Sequence, residues 1–213
     1  MDWLSGLKNN LPFFLDHQRD GTIPGYFSYS FSGDLYKKKR TSNLAGSIFA
    51  LKLYRLIGES DERIIKPIVD RVLSFQQADG TFRDPLVCRK RLLRNILSNL
   101  KHGRLTQMGN EQYIRAETRQ AYSALMLYDV LPQQMTLQIP IKPNDVEKFL
   151  RSLDWSHPWG AGSHFSHLMF FFSLLRRTGQ LHDQNFLEAH DAALTFVCSI
   201  QQETDGAGYT GNP

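Results

Sequence analysis

Two cysteines, Cys88 and Cys198, are all that 213 residues contain. They are too few for a disulfide framework, and neither lies in a Cys-x-x-Cys or Cys/His spacing of the kind a zinc site needs. Both are expected to be buried, reduced thiols, and no metal or cofactor is expected. Long apolar runs are also missing. The longest, Phe165 to Leu175, is interrupted by Ser166, His167 and Ser173 and falls well short of the roughly 20 residues a membrane span requires. The N-terminus, Met1-Asp-Trp-Leu-Ser-Gly-Leu-Lys8, has no basic segment followed by an apolar one, so no signal peptide is expected. These absences lead to the expectation of a cytoplasmic protein without a membrane span. A large excess of one charge is absent too: 25 Lys and Arg against 21 Asp and Glu leave +4 and a pI near 9.1. That balance is compatible with an anionic ligand and short of a nucleic-acid footprint, so no nucleic-acid partner is expected. With 41% hydrophobic and 22% charged residues, residues 1–213 are expected to form a single soluble domain.

What is present is a repeated stretch. Val72-Leu-Ser-Phe-Gln-Gln-Ala-Asp-Gly-Thr-Phe-Arg-Asp-Pro85 runs from an apolar helix end through two glutamines into an Asp-Gly turn, an aromatic and a proline. Residues 13–26 repeat it near the start and residues 196–209 near the end, the latter with one residue added before Asp-Gly. Glutamines near a helix end can donate to its free carbonyls, Asp-Gly permits a reversal, and the aromatic packs back on the helix pair. The element therefore reads as a structural clamp.

Around the clamps the pattern is helical. Trp3, Leu4, Leu7, Leu11, Phe14 and Leu15 recur at helical spacing in a first outer helix. After Lys37-Lys-Lys-Arg40, read as a solvated charge run, Thr41-Ser-Asn43 caps an inner helix holding Leu44, Ile48, Leu51 and Leu56. Ser60 to Gln77 form the next outer helix, kinked or restarted at Pro67. Residues 86–110 read as an insertion, a basic helix from Leu86 to His102 followed by a loop, and its arginines and lysines are expected to be peripheral. A further inner helix runs from about Ile114 to Val130, and an extended connection covers Leu131 to Pro143. Asn144 is expected to cap a short outer helix, His164 to Arg177 to form an unusually apolar inner helix, and Gln184 to Gln202 the last outer helix.

About four helix pairs, recurring every ~45 to 75 residues with the second helix of each pair the more apolar, indicate a helical repeat. The Gln-Gln-x-Asp-Gly-x-Phe element resembles the repeat of the squalene and oxidosqualene cyclases and the protein prenyltransferases, the terpenoid-cyclase-like α/α toroids. The resemblance implies an all-α fold in a partial α/α toroid. It does not carry the family's chemistry over: the Asp-x-Asp-Asp acid of class II cyclases and the Asp-Asp-x-x-Asp metal site of class I synthases are both missing, and Cys88 lacks the Asp and His partners of a zinc prenyltransferase. The last unit stops at its Asp-Gly, without the inner helix that should follow Gly211. Either self-association or a continuation after Pro213 is therefore expected to cover Phe186, Leu187, Leu194, Phe196 and Ile200.

In such a toroid the N-termini of the inner helices surround one cavity mouth. Superposing Ala45, Ala121 and Ser166 brings Asn43, Arg119 and His164 to one first-turn position, with Tyr122 and His167 nearby and Trp155, His157 and Trp159 on the adjacent loop. Tyr122 or His164 could move a proton, with Arg119 completing a candidate catalytic set. Asn43, His167, His157 and the two tryptophans could bind a ligand. The alternative is that the histidines are capping or core residues and that Arg119 pairs with Glu117. Three functions follow: an enzyme or binder acting on an acidic carbohydrate, slightly preferred and similar in residue types to toroidal polysaccharide lyases; an isoprenoid cyclase, transferase or binder, if Phe165, Phe170, Phe171 and Phe172 face the cavity; or a non-catalytic repeat scaffold.

Overall fold

The computed structural model describes residues 3–30, 43–101, 111–131, 139–156, 158–179 and 183–203. Among them are eight α-helices, one 3-10 turn and no named strand. The protein is all-α. The chain divides into two compact units, Met1–Thr136 and Leu137–Pro213, and each is described by itself.

The first unit holds α1 (Trp3–Gln18), α2 (Leu44–Ile57), α3 (Glu62–Leu73), α4 (Pro85–Lys101) and α5 (Glu111–Leu125), followed by the 3-10 turn Met126–Tyr128. Helix α2 is the inner element, packing against α1, α3 and α5. Its Leu44, Ile48 and Leu51 are fully buried, but Leu56, grouped with them in the sequence reading, is exposed. Asp61 caps α3 with its side chain, and that helix passes through Pro67 without restarting.

Both clamps of this unit have one local geometry. In the first, Thr22 N and Oγ1 donate to Asp20 Oδ1 at 2.7 and 2.6 Å; in the second, Thr81 N and Oγ1 donate to Asp79 Oδ1 at 2.9 and 2.6 Å. A single antiparallel bridge then closes each loop, Arg19 with Phe27 and Gln76 with Phe82. The aspartate closes the turn on its own backbone, which is the physical reason the Asp-Gly-Thr string repeats. Phe27 and Phe82 are buried and meet inner tyrosines edge to face, Phe27 with Tyr54 at 6.0 Å and Phe82 with Tyr122 at 5.1 Å between ring centroids. The Arg71 guanidinium lies over Tyr26 of the first clamp and Phe75 at the start of the second, linking the two through α3.

Side chains of α2 and α5 anchor the clamps. Asn43 Nδ2 donates to Phe27 O at 2.6 Å and Ser47 Oγ to Gly25 O at 2.8 Å. On α5, Thr118 Oγ1 accepts from Phe82 N at 3.0 Å and Tyr122 Oη donates to Gly80 O at 2.5 Å. Thr118 and Tyr122 thus occupy the roles of Asn43 and Ser47, and the counterpart of Asn43 is Thr118. Arg119, which the sequence alignment placed there, is one residue out of register.

Helix α2 approaches the first clamp so closely that a Cβ on Gly46 would sit 2.4 Å from Phe27 O and 2.6 Å from Asn43 Nδ2. Replacing a glycine inside a helix with alanine ordinarily gains up to ~1 kcal/mol. Here the contact is with backbone, which cannot yield without displacing the clamp. Gly46→Ala is therefore expected to destabilise the unit by about 2 kcal/mol, as measured by urea unfolding followed by circular dichroism.

The second unit holds α6 (Pro143–Arg151), α7 (Pro158–Arg177) and α8 (Gln184–Ser199). Pro143 occupies the first turn of α6 and Lys142 its N-cap position, so Asn144 lies inside the helix and does not cap it. Val146, Leu150, Leu168, Phe172, Phe186, Ala189, Ala193 and Phe196 form the core. Phe186 and Phe196 are therefore covered within the unit, and on α8 only Leu187 and Leu194 of the expected apolar face are exposed. Phe172 stacks edge to face on Phe186 at 5.2 Å; with Phe171 also buried, this part of the phenylalanine stripe serves packing. Neither Cys88, which is half-buried, nor Cys198, which is exposed, joins a disulfide, and neither is the buried thiol expected. The charge run 37–40, the loop of the insertion and the third clamp from residue 204 lie outside the described residues.

Candidate functional site

The sequence-predicted residues divide between the units: Asn43, Arg119 and Tyr122 in the first, Trp155, Trp159, His164 and His167 in the second. His157 lies outside the described residues. The shared first-turn position does not hold. Asn43 is the N-cap of α2, but Arg119 lies in the middle of α5 and His164 six residues into α7, which begins at Pro158 rather than near His164.

Asn43 is a joint. Its Oδ1 accepts from Gly46 N at 3.0 Å, its Nδ2 holds Phe27 O, and its backbone N donates to Asp84 Oδ2 at 2.8 Å. Tyr122 is fully buried between Gly80 O and the Gln76 amide. Burial raises its phenol pKa to about 12, so it remains neutral through the physiological range and is occupied as a clamp donor. Trp155 is a core residue whose Nε1 donates to Leu150 O at 2.8 Å and whose ring meets Phe196 at 5.6 Å. Trp159, by contrast, is 93% exposed. His167 is buried, and the half-buried His164 ring lies edge to face with Phe149 at 6.5 Å.

Arg119 alone leads to a constellation that sequence reasoning missed. Its charge acts on Lys52 of α2, whose pKa is lowered first by burial and second by Arg119. Lys52 Nζ donates to Gln120 Oε1 and lies 6.0 Å from the centroid of the Phe49 ring. Phe49 in turn borders a groove of about 370 Å³ between α1 and α2. Phe14 and Leu15 of α1, Phe27 and Tyr29 of the clamp, and Phe49, Ala50 and Leu53 of α2 supply its apolar walls; Gln18 and Ser28 supply polar groups. Phe49 is 54% exposed although it lies on an inner helix. The signal available in the sequence was that Phe49, Lys52 and Leu53 fall outside the Leu44, Ile48, Leu51 stripe of α2.

The arrangement is an aromatic slot, and Lys52, outside its lining, lies 6.0 Å from the Phe49 ring that forms one wall. Such a slot suits a molecule with an apolar body, and the Lys52 cation beside one wall favours an anionic end. Among the described residues no cluster of three or more His, Cys, Asp or Glu could hold a metal ion. Comparisons with protein-family models, with curated proteins and with solved structures find no match to this chain.

Proposed function

We propose that this protein binds a small amphipathic anion, a prenyl or acyl chain ending in a diphosphate or carboxylate, in the groove between α1 and α2. The repeated helix pairs are, in this reading, part of an α/α toroid of the terpenoid-cyclase and prenyltransferase kind, and the two clamps of matching geometry support it. The observation that carries the ligand class is the run of the Phe14, Phe27 and Phe49 walls with the Lys52 ammonium 6.0 Å from the Phe49 ring. The acidic-carbohydrate reading loses Trp155, which is committed to the core, and Tyr122, which is committed to a clamp. Binding rather than turnover is the function this site supports.

Isothermal titration of the full chain with farnesyl diphosphate, a long-chain fatty acid and an oligogalacturonate tests the proposal. The apolar anions are expected to bind with micromolar affinity and the saccharide not to bind. Lys52→Gln removes one charge-assisted contact and should weaken binding roughly tenfold or more. Because Lys52 loses its proton at a lower pH than an ordinary lysine, affinity is complete below that lowered pKa and falls as pH rises through it. Saccharide binding without binding of either apolar anion would overturn the assignment.

A further inference from the structure

We propose that α4 docks the protein on an anionic lipid surface, lying along it rather than crossing it. The helix carries Arg89, Lys90, Arg91, Arg94 and Lys101 and no acidic residue. Arg89, Lys90 and Arg94 are exposed, and so, on the same 17-residue helix, are Leu92, Leu93 and Leu97, the last at 68% exposure. Leu93 and Leu97 are one helical turn apart, and Lys90 and Arg94 are each one turn from one of them. Over residues 89–97, about 12 Å of helix, the exposed side therefore carries Leu93 and Leu97 with Arg89 to one side and Lys90 and Arg94 to the other. A solvated charged face would not place three leucines in water, and a surface built for a nucleic-acid backbone has no use for them. A bilayer rich in acidic headgroups accommodates both features: leucines enter the acyl boundary while arginine and lysine stems reach up to the phosphates. No described helix is long and apolar enough to span a membrane, which matches a helix that lies in the interface. Asp84 anchors the helix to the unit, accepting from Leu86 N and Val87 N at its start and from Asn43 N and Leu44 N of α2. The docking element is thus tied to α2 through Asp84.

Co-sedimentation of the full chain with phosphatidylcholine vesicles, with and without phosphatidylserine, tests the proposal. Binding is expected only to the anionic vesicles and should weaken with added salt. Arg89→Gln with Arg94→Gln should lower vesicle affinity by tenfold or more, and Leu93→Gln with Leu97→Gln should lower it at least as far. All four residues are exposed, so both double variants should retain the parent circular dichroism spectrum. If a variant does unfold, a nitroxide on Leu97→Cys in a Cys88→Ser, Cys198→Ser background reads the same contact through its immersion in the bilayer. Failure to bind anionic vesicles would overturn the proposal, as would binding unaffected by loss of the leucines. Equal loss of binding to a DNA duplex and to vesicles in the arginine variant, with no loss in the leucine variant, would reassign the surface to polyanions in general.

Discussion

Asp84→Ala is expected to lower the stability of the first unit by about 4 kcal/mol, more than any other single polar substitution in it. Asp84 is 1% exposed, and its carboxylate is shared between two helix N-termini. Oδ2 accepts from Asn43 N at 2.8 Å and Leu44 N at 3.3 Å, and Oδ1 from Leu86 N at 3.1 Å and Val87 N at 3.2 Å. Helix starts leave backbone donors without intrahelical partners, and a charge at that end is also favoured by the helix dipole. Alanine leaves all four donors to find water in a buried place, whereas Asp84→Asn keeps the shape and one acceptor and should cost about half as much. Urea unfolding monitored by circular dichroism distinguishes the two. Equal and small losses in both variants would show that water replaces the carboxylate easily.

Phe82→Ala is expected to cost a further ~4 kcal/mol in its own right, from lost transfer energy and an uncollapsed cavity. Phe82 is fully buried beneath the second clamp, and its ring meets Tyr122 at 88°, a contact that adds about 1 kcal/mol beyond burial. Tyr122 cannot follow the cavity inward, because its hydroxyl is held by Gly80 O and the Gln76 amide. Phe82→Leu keeps most of the volume and should cost only about 1.5 kcal/mol. Calorimetric melting of the pair provides the comparison, and near-identical transitions for Ala and Leu would mean the clamp does not depend on its aromatic.

How far the sequence can be read follows from these same residues. The clamps were legible because an Asx turn needs Asp, a reversal and a hydroxyl at fixed spacing, so geometry leaves its mark as a string: Asp20-Gly21-Thr22 and Asp79-Gly80-Thr81. The helices were legible from their apolar periodicity. The site was not. Superposing helices on apolar faces has no anchor finer than one residue, and one residue separates Arg119 from Thr118, the position that matches Asn43. Burial could not be read for Trp155 or Tyr122 either, because an aromatic with a polar tip suits a core with one carbonyl to satisfy as well as it suits a ligand pocket. Lys52 escaped notice because its partners, Gln120 and Arg119, come from a helix far along the chain, and no local pattern announces a tertiary pairing.

The most direct test of the proposed ligand site is an amide nuclear magnetic resonance titration of the full chain with farnesyl diphosphate. The account predicts shifts at Gly46, Phe49, Ala50, Lys52 and Leu53, along the α2 wall of the groove, with Lys52→Gln moving the saturation point to higher ligand. Silence along α2, with shifts gathered instead at Trp159 and His164, would contradict it.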